Sequence, residues 1–131
     1  MDTMDTVVVG AGQSGIAISY FLQQNGNHHV VFEQGRIGES WISQRWDSFR
    51  LNTPNFMNVL PGLPYQGTEP NGFWRCSDLI EYFRRYIKHF HLPVRTGVKV
   101  ISVERSGDDR QFLIRTIPEG RTEESVLCDL L

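Results

Sequence analysis

Three glycines in the segment Gly10-Ala11-Gly12-Gln13-Ser14-Gly15 have the G-x-G-x-x-G spacing that lets a polypeptide hold a pyrophosphate. Gly10 permits a tight turn, and Gly12 lets backbone N–H groups approach the phosphates with no side chain in the way. Gly15 lets the following helix pack close to the preceding strand. A helix opening at Gln13 and Ser14 adds unpaired N–H donors and the positive end of its dipole. Glu33 lies eighteen residues beyond Gly15, where an acid accepts hydrogen bonds from ribose hydroxyls. Residues 10 to 15 and Glu33 are therefore the candidate nucleotide contacts. FAD and NAD carry the same ADP moiety, so these residues do not choose between them.

The elements needed to position those groups are legible on either side. Thr6-Val7-Val8-Val9 is a β-branched run suited to a strand buried on both faces. After the glycines, Ile16, Ala17, Tyr20 and Phe21 recur at helical spacing, and Asn25-Gly26 offers a left-handed stop. His29 to Glu33 reads as the second strand. Strand, glycine turn, helix and strand make a βαβ unit over residues 5–33, with a right-handed crossover and parallel strands.

Residues 34–76 lose that regularity. Pro54, Pro61, Pro64 and Pro70 punctuate the stretch, and a connection this long is uncommon in a domain unless it is functional. Ser77-Asp78 then supplies a helix start, with Leu79, Ile80, Phe83, Tyr86, Ile87 and Phe90 on one face and basic residues in the last turns. Val98 to Val103 and Phe112 to Ile117 flank a polar turn at Ser106-Gly107-Asp108-Asp109, which predicts a β-hairpin. Residues 77–117 are thus helix plus hairpin, and 118–131 reads as a charged, turn-like tail with a short apolar stub.

Two segments in the irregular stretch carry a family resemblance. Ile37-Gly38-Glu39-Ser40-Trp41, followed by Trp46-Asp47-Ser48 and Asn52-Thr53-Pro54, resembles the flavin-containing monooxygenases, a group that includes indole-pyruvate and Baeyer–Villiger-type enzymes. The resemblance covers roughly residues 5 to 117. It implies FAD as cofactor, NADPH as hydride donor and a small organic molecule as substrate. Ser40, Trp41 and Thr53 would contact FAD, Asn52 would be the catalytic residue between flavin and nicotinamide, and backbone near Val100 would meet the adenine. One departure is local: the family has Gly-Gly-x-Trp where this chain has Gly38-Glu39-Ser40-Trp41. A larger one concerns extent, because the family continues into an Ala-Thr-Gly segment and a second glycine fingerprint for NADPH. The expectation is an α/β, Rossmann-like FAD-binding βαβ unit with a parallel sheet plus a small separate hairpin sheet. It would form one partial FAD-binding domain over 1–131, a truncated member of a two-dinucleotide-binding-domain fold. Alone it is expected to hold FAD weakly or not at all, with an exposed sheet edge, and not to oxygenate. The alternative is a non-catalytic FAD- or NAD-binding module.

Composition narrows the rest. The 131 residues carry a formal net charge of −2, so nucleic acid and anionic membranes are not expected partners. An acidic N-terminus and an interrupted apolar run fit neither a signal peptide nor a membrane span, which predicts a cytoplasmic protein. Cys76 and Cys128 form no C-x-x-C, the pair that a flavoprotein disulfide reductase requires. His28-His29 and His89-Phe90-His91 lack metal-ligand spacing, so no metal is expected.

Overall fold

The computed structural model describes residues 2–43, 50–107 and 111–131. Its scaffold is a six-stranded sheet in the order β3-β2-β1-β6-β5-β4. The strands are β1 (Asp2–Val9), β2 (His29–Glu33), β3 (Val94–Thr96), β4 (Val98–Arg105), β5 (Phe112–Pro118) and β6 (Glu124–Leu130). Among the described residues the α-helices are α1 (Gln13–Gln24), α2 (Glu39–Ser43) and α3 (Cys76–Phe90).

The βαβ unit forms as its residues predict. β1 pairs with β2 in parallel, Val7 opposite Val30 and Val9 opposite Phe32. α1 ends at Asn25, with Gly26 at φ 68° taking the left-handed turn. Side chains alternate across the strands. Val31 joins Ile16 of α1 and Tyr82, Phe83 and Tyr86 of α3 in one core, and Val7, Val30 and Phe32 face the other way.

The second face is covered by the antiparallel strands. Val98, Ile114, Val126 and Cys128 share a core with Val30 and Phe32, although β4 is not hydrogen-bonded to β2. The meander of β4, β5 and β6 therefore curls back over the parallel strands, giving helices, parallel strands and meander as three layers. The hairpin expected at 98–117 is present, with a register shift between Val100 and Ser102. It is not a separate sheet, because β6 joins it to β1.

That joining strand corrects the reading of 118–131 as a tail. Glu124–Leu130 pairs in parallel with β1, Asp2 opposite Val126, and antiparallel with β5, Ile114 opposite Val126. The edge of β1 expected to lie open is filled, and the acidic N-terminal residues belong to the strand. α3 also begins earlier than Ser77-Asp78 suggests. Arg75 is its N-cap, and Asp78 accepts the Arg75 N–H at 3.0 Å from the third helical position. Among the described residues, no helix is long and apolar enough to cross a membrane.

Candidate functional site

The glycine loop joins the C-terminal end of β1 to α1. Gly10 sits at φ 98°, a region where a side chain is strained, and its N–H donates to the Phe32 carbonyl at 2.7 Å. A Cβ on Gly15 would stand 2.0 Å from the Gly10 carbonyl oxygen, so helix and turn touch only because that atom is missing. Gly12 differs from both. Its φ of −79° suits any residue, and a Cβ there would meet no heavy atom within 4 Å. Folding alone gives Gly12 no reason to be glycine.

Gln13 and Ser14 are exposed in the first turn of α1, which has no acidic residue and no side-chain cap. Its leading N–H groups and the positive dipole end face the open space above Gly12. Glu33 closes the loop from the neighbouring strand. Its Oε1 accepts the Ala11 N–H at 2.9 Å and its Oε2 accepts the Gly35 N–H at 2.8 Å. An ionised carboxylate offers about four acceptor positions. One on each oxygen thus remains after the loop is tied, a pair suited to vicinal hydroxyls.

Beyond Glu33 lies a cavity of about 450 Å³ where three segments converge: the turn after β2, the β3–β4 corner and the β5–β6 turn. Arg36, Glu39, Thr96, Val98, Pro118 and Glu119 are among its walls. Val98 reaches this cavity, whereas Val100, two residues on, packs against the meander core and is not among the lining residues. Arg36 and Glu39, which sequence reasoning did not single out as a pair, form an ion pair at 2.8 Å. Their i,i+3 spacing was the available signal.

The irregular stretch is held in place from α3. Tyr82 Oη accepts the Leu60 N–H at 2.8 Å and donates to the Leu63 carbonyl at 2.6 Å, and Tyr86 donates to the Pro61 carbonyl at 2.6 Å. Burial pushes both phenols above their ordinary pKa. Leu51 N–H donates to Trp74, Arg50 Nη1 donates to the Phe73 carbonyl at 2.8 Å, and Asn55 Nδ2 donates to the Glu69 carbonyl at 2.8 Å. Asn52 and Thr53 are exposed on this anchored loop, and the Thr53 hydroxyl donates to Asn58 Oδ1. Trp41 packs against the α3 core from α2, which also carries the backbone of Ser40. Trp74 stacks near Tyr82, ring centroids 5.4 Å apart, and so fills core. Trp46-Asp47-Ser48 lies outside the described residues.

His29 and Cys128 serve the fold. His29 is buried, with Nε2 2.7 Å from the Ser19 hydroxyl and Nδ1 3.0 Å from the Asn27 carbonyl, which occupies both ring nitrogens. Cys128 is buried and its thiol is pushed up in pKa by that burial, which favours the unreactive protonated form. Among the described residues, no three His, Cys, Asp or Glu side chains gather as a metal site.

Comparison with known proteins agrees with this geometry. The family model described as pyridine nucleotide-disulphide oxidoreductase matches residues 7–126. An uncharacterized oxidoreductase of Bacillus subtilis, CzcO, is 37% identical over 113 residues, covering 86% of this chain and 32% of that protein. A probable indole-3-pyruvate monooxygenase of Arabidopsis thaliana, YUCCA7, is 32% identical over 124 residues, covering 94% of this chain and 28% of that protein. The chain thus spans about a third of the length of these curated relatives. A solved flavin-containing monooxygenase from Stenotrophomonas maltophilia superimposes with a TM-score of 0.83 at 24% identity, over 99% of this chain and 38% of that one.

Proposed function

The chain belongs to the pyridine nucleotide-disulphide oxidoreductase family, and from that premise we propose that it binds FAD as part of an NADPH-dependent monooxygenase acting on a small organic substrate. The single observation carrying the nucleotide reading is Gly12, a glycine that neither backbone strain nor packing demands; the resemblance in residues 37–54 is what makes that nucleotide FAD. The bareness of Gly12 is explained by a ligand that must come within contact of the backbone. Pyrophosphate is that ligand: it is anionic, and the leading N–H groups of α1 face it with the dipole's positive end. Glu33 takes the ribose on its two spare acceptor positions, and the cavity beyond it takes the adenine.

The isoalloxazine ring would then extend from the pyrophosphate toward the anchored loop. Ser40, Trp41, Asn52 and Thr53 are proposed to contact it, by the resemblance in residues 37–54. FAD would accept hydride from NADPH and deliver reducing equivalents to oxygen, and the protein's share is binding, orientation and exclusion of water. Asn52 is the proposed catalytic side chain, an amide that both donates and accepts, exposed on a loop whose neighbours are tied down. The resemblance to named monooxygenases, indole-3-pyruvate monooxygenase YUCCA7 among them, is what favours oxygenation.

The test has two stages. Purified chain titrated with FAD should show saturable binding, with ADP competing; no binding of either overturns the nucleotide reading. Exchanged for the matching segment of a full-length relative such as YUCCA7, the chain should then support NADPH consumption in step with oxygenation of an amine, thioether or ketone. Tight FAD binding without turnover across such substrates would select the non-catalytic module instead.

A further inference from the structure

The turn after Glu33 is knit together by a second carboxylate. Glu39 folds back so that its Oε2 accepts the Arg36 Nε–H at 2.8 Å and the Arg36 backbone N–H at 3.3 Å, while Oε1 lies 3.5 Å from Nη2. This path is open only because residue 35 is glycine: a Cβ on Gly35 would stand 2.7 Å from Glu39 Cγ. Glu33 and Glu39 therefore hold the consecutive N–H groups of Gly35 and Arg36, so the turn that carries the ribose acceptor also fixes the next side chain. A two-point carboxylate contact sets the plane of a guanidinium as well as its position.

Arg36 is a wall of the 450 Å³ cavity, with Val98 and Pro118 among the other walls. Arg95, which also lines that cavity, is engaged elsewhere: its guanidinium lies 5.6 Å from the Phe32 ring centroid and 3.7 Å from the Glu124 carboxylate. A planar cation in the wall of a cavity that Val98 and Pro118 also line is suited to a flat aromatic ring, since guanidinium stacks on π faces.

We propose that Arg36 is the stacking platform for the adenine of the bound nucleotide, and that Glu39 is the positioning residue that holds it there. The proposal rests on the FAD reading above and adds the residue pair that selects for the base. Glu39 is also a wall of that cavity, and it acts on the base through Arg36, whose guanidinium it meets at Nε and Nη2.

The experiment compares ADP with ribose 5-diphosphate, which keeps the ribose and both phosphates and lacks the base. Calorimetric titration of the purified chain gives an affinity ratio between them. Wild type should prefer ADP by tenfold or more. Glu39→Gln and Arg36→Lys should each cut that ratio by threefold or more while leaving ribose 5-diphosphate affinity within twofold. Arg36→Trp, which restores a flat face without a carboxylate partner, should recover the ratio even in the presence of Glu39→Gln. Thermal unfolding of ligand-free protein should barely move, because exposed ion pairs contribute little to stability. An unaltered ratio in Glu39→Gln, or equal losses for both ligands, overturns the proposal with the FAD reading intact. Failure of wild type to bind either ligand removes the FAD reading itself, and the proposal with it.

Discussion

Gly12 and Gly15 stand three residues apart in one motif, yet the structure gives them opposite reasons for lacking a side chain. That contrast is measurable. Gly15→Ala puts a methyl 2.0 Å from the Gly10 carbonyl oxygen, a backbone atom that cannot swing aside. Displacing helix or turn to relieve it costs about 1–3 kcal/mol, the range for overpacking. Gly12→Val meets no atom within 4 Å and keeps a permitted φ of −79°. Reduced unfolded-state entropy favours the variant by about 0.4–1 kcal/mol, and a less suitable N-cap residue costs about as much. Its net stability change is therefore within ~1 kcal/mol. Binding should reverse the order. A branched side chain at position 12 would occupy the space proposed for the pyrophosphate, and FAD affinity should fall more than tenfold, or ~1.4 kcal/mol. Thermal unfolding by circular dichroism without ligand, followed by flavin fluorescence titration, separates the two effects. The reasoning fails if Gly12→Val unfolds as early as Gly15→Ala, or if it binds FAD like wild type.

Glu33→Ala orphans the Ala11 and Gly35 N–H groups, so urea denaturation without nucleotide should show a loss of ~1.5–3 kcal/mol; unchanged stability would mean the acid serves only the ligand. Tyr82→Phe leaves the Leu60 N–H and the Leu63 carbonyl unpaired in the core and should cost ~1–3 kcal/mol by the same measurement, while an isostable variant would show that the 60–63 turn is not held from α3. The raised phenol pKa values of Tyr82 and Tyr86 set a pH dependence. Below the ordinary value of 10.0 both phenols stay protonated in either state and contribute no slope. Above it the unfolded chain releases protons that the folded chain retains, so stability falls as pH rises. Unfolding midpoints between pH 9 and 11 (roughly one unit below and above the ordinary tyrosine value) should decline in wild type, and less steeply in the Tyr82→Phe, Tyr86→Phe double variant.

The parts of the molecule legible in the sequence are those whose signals are local. Gly10, Gly15, the Ile16-Ala17-Tyr20 spacing and the Val30-Val31-Phe32 run each constrain only their near neighbours, and the βαβ unit follows from them. β6 is different. Glu124-Ser125-Val126-Leu127-Cys128-Asp129-Leu130 has an alternation too short and too charged at its ends to stand out, and its strand exists because β1 and β5 present backbone groups on both sides. The same non-local pairing draws Asp2 to Asp5 into β1. Tyr82 is absent from the face read as Leu79, Ile80, Phe83, Tyr86, Ile87 and Phe90, although its i,i+3 spacing from Leu79 places it beside them in the core. Its hydroxyl is satisfied by a loop twenty residues away, which helical periodicity does not reveal.

Glu33 shows why site and scaffold are hard to read apart. An acid at the end of the second strand suggests a ligand contact, and the structure gives it a prior engagement with Ala11 and Gly35. The two roles support each other. By tying the glycine loop to β2 before any ligand arrives, the carboxylate lowers the ordering cost of binding. Because each oxygen spends one lone pair on the loop, the remaining pair points away from it, toward the space where ribose hydroxyls would lie. Glu39 repeats that logic one turn later, with a backbone N–H and a guanidinium as its charges. The geometry at both positions is thus set by hydrogen bonds the protein makes to itself: changing Glu33, which ties two backbone N–H groups, should lower unliganded stability and affinity together, whereas changing the exposed Glu39 should leave stability almost unmoved and act on the proposed preference for the base.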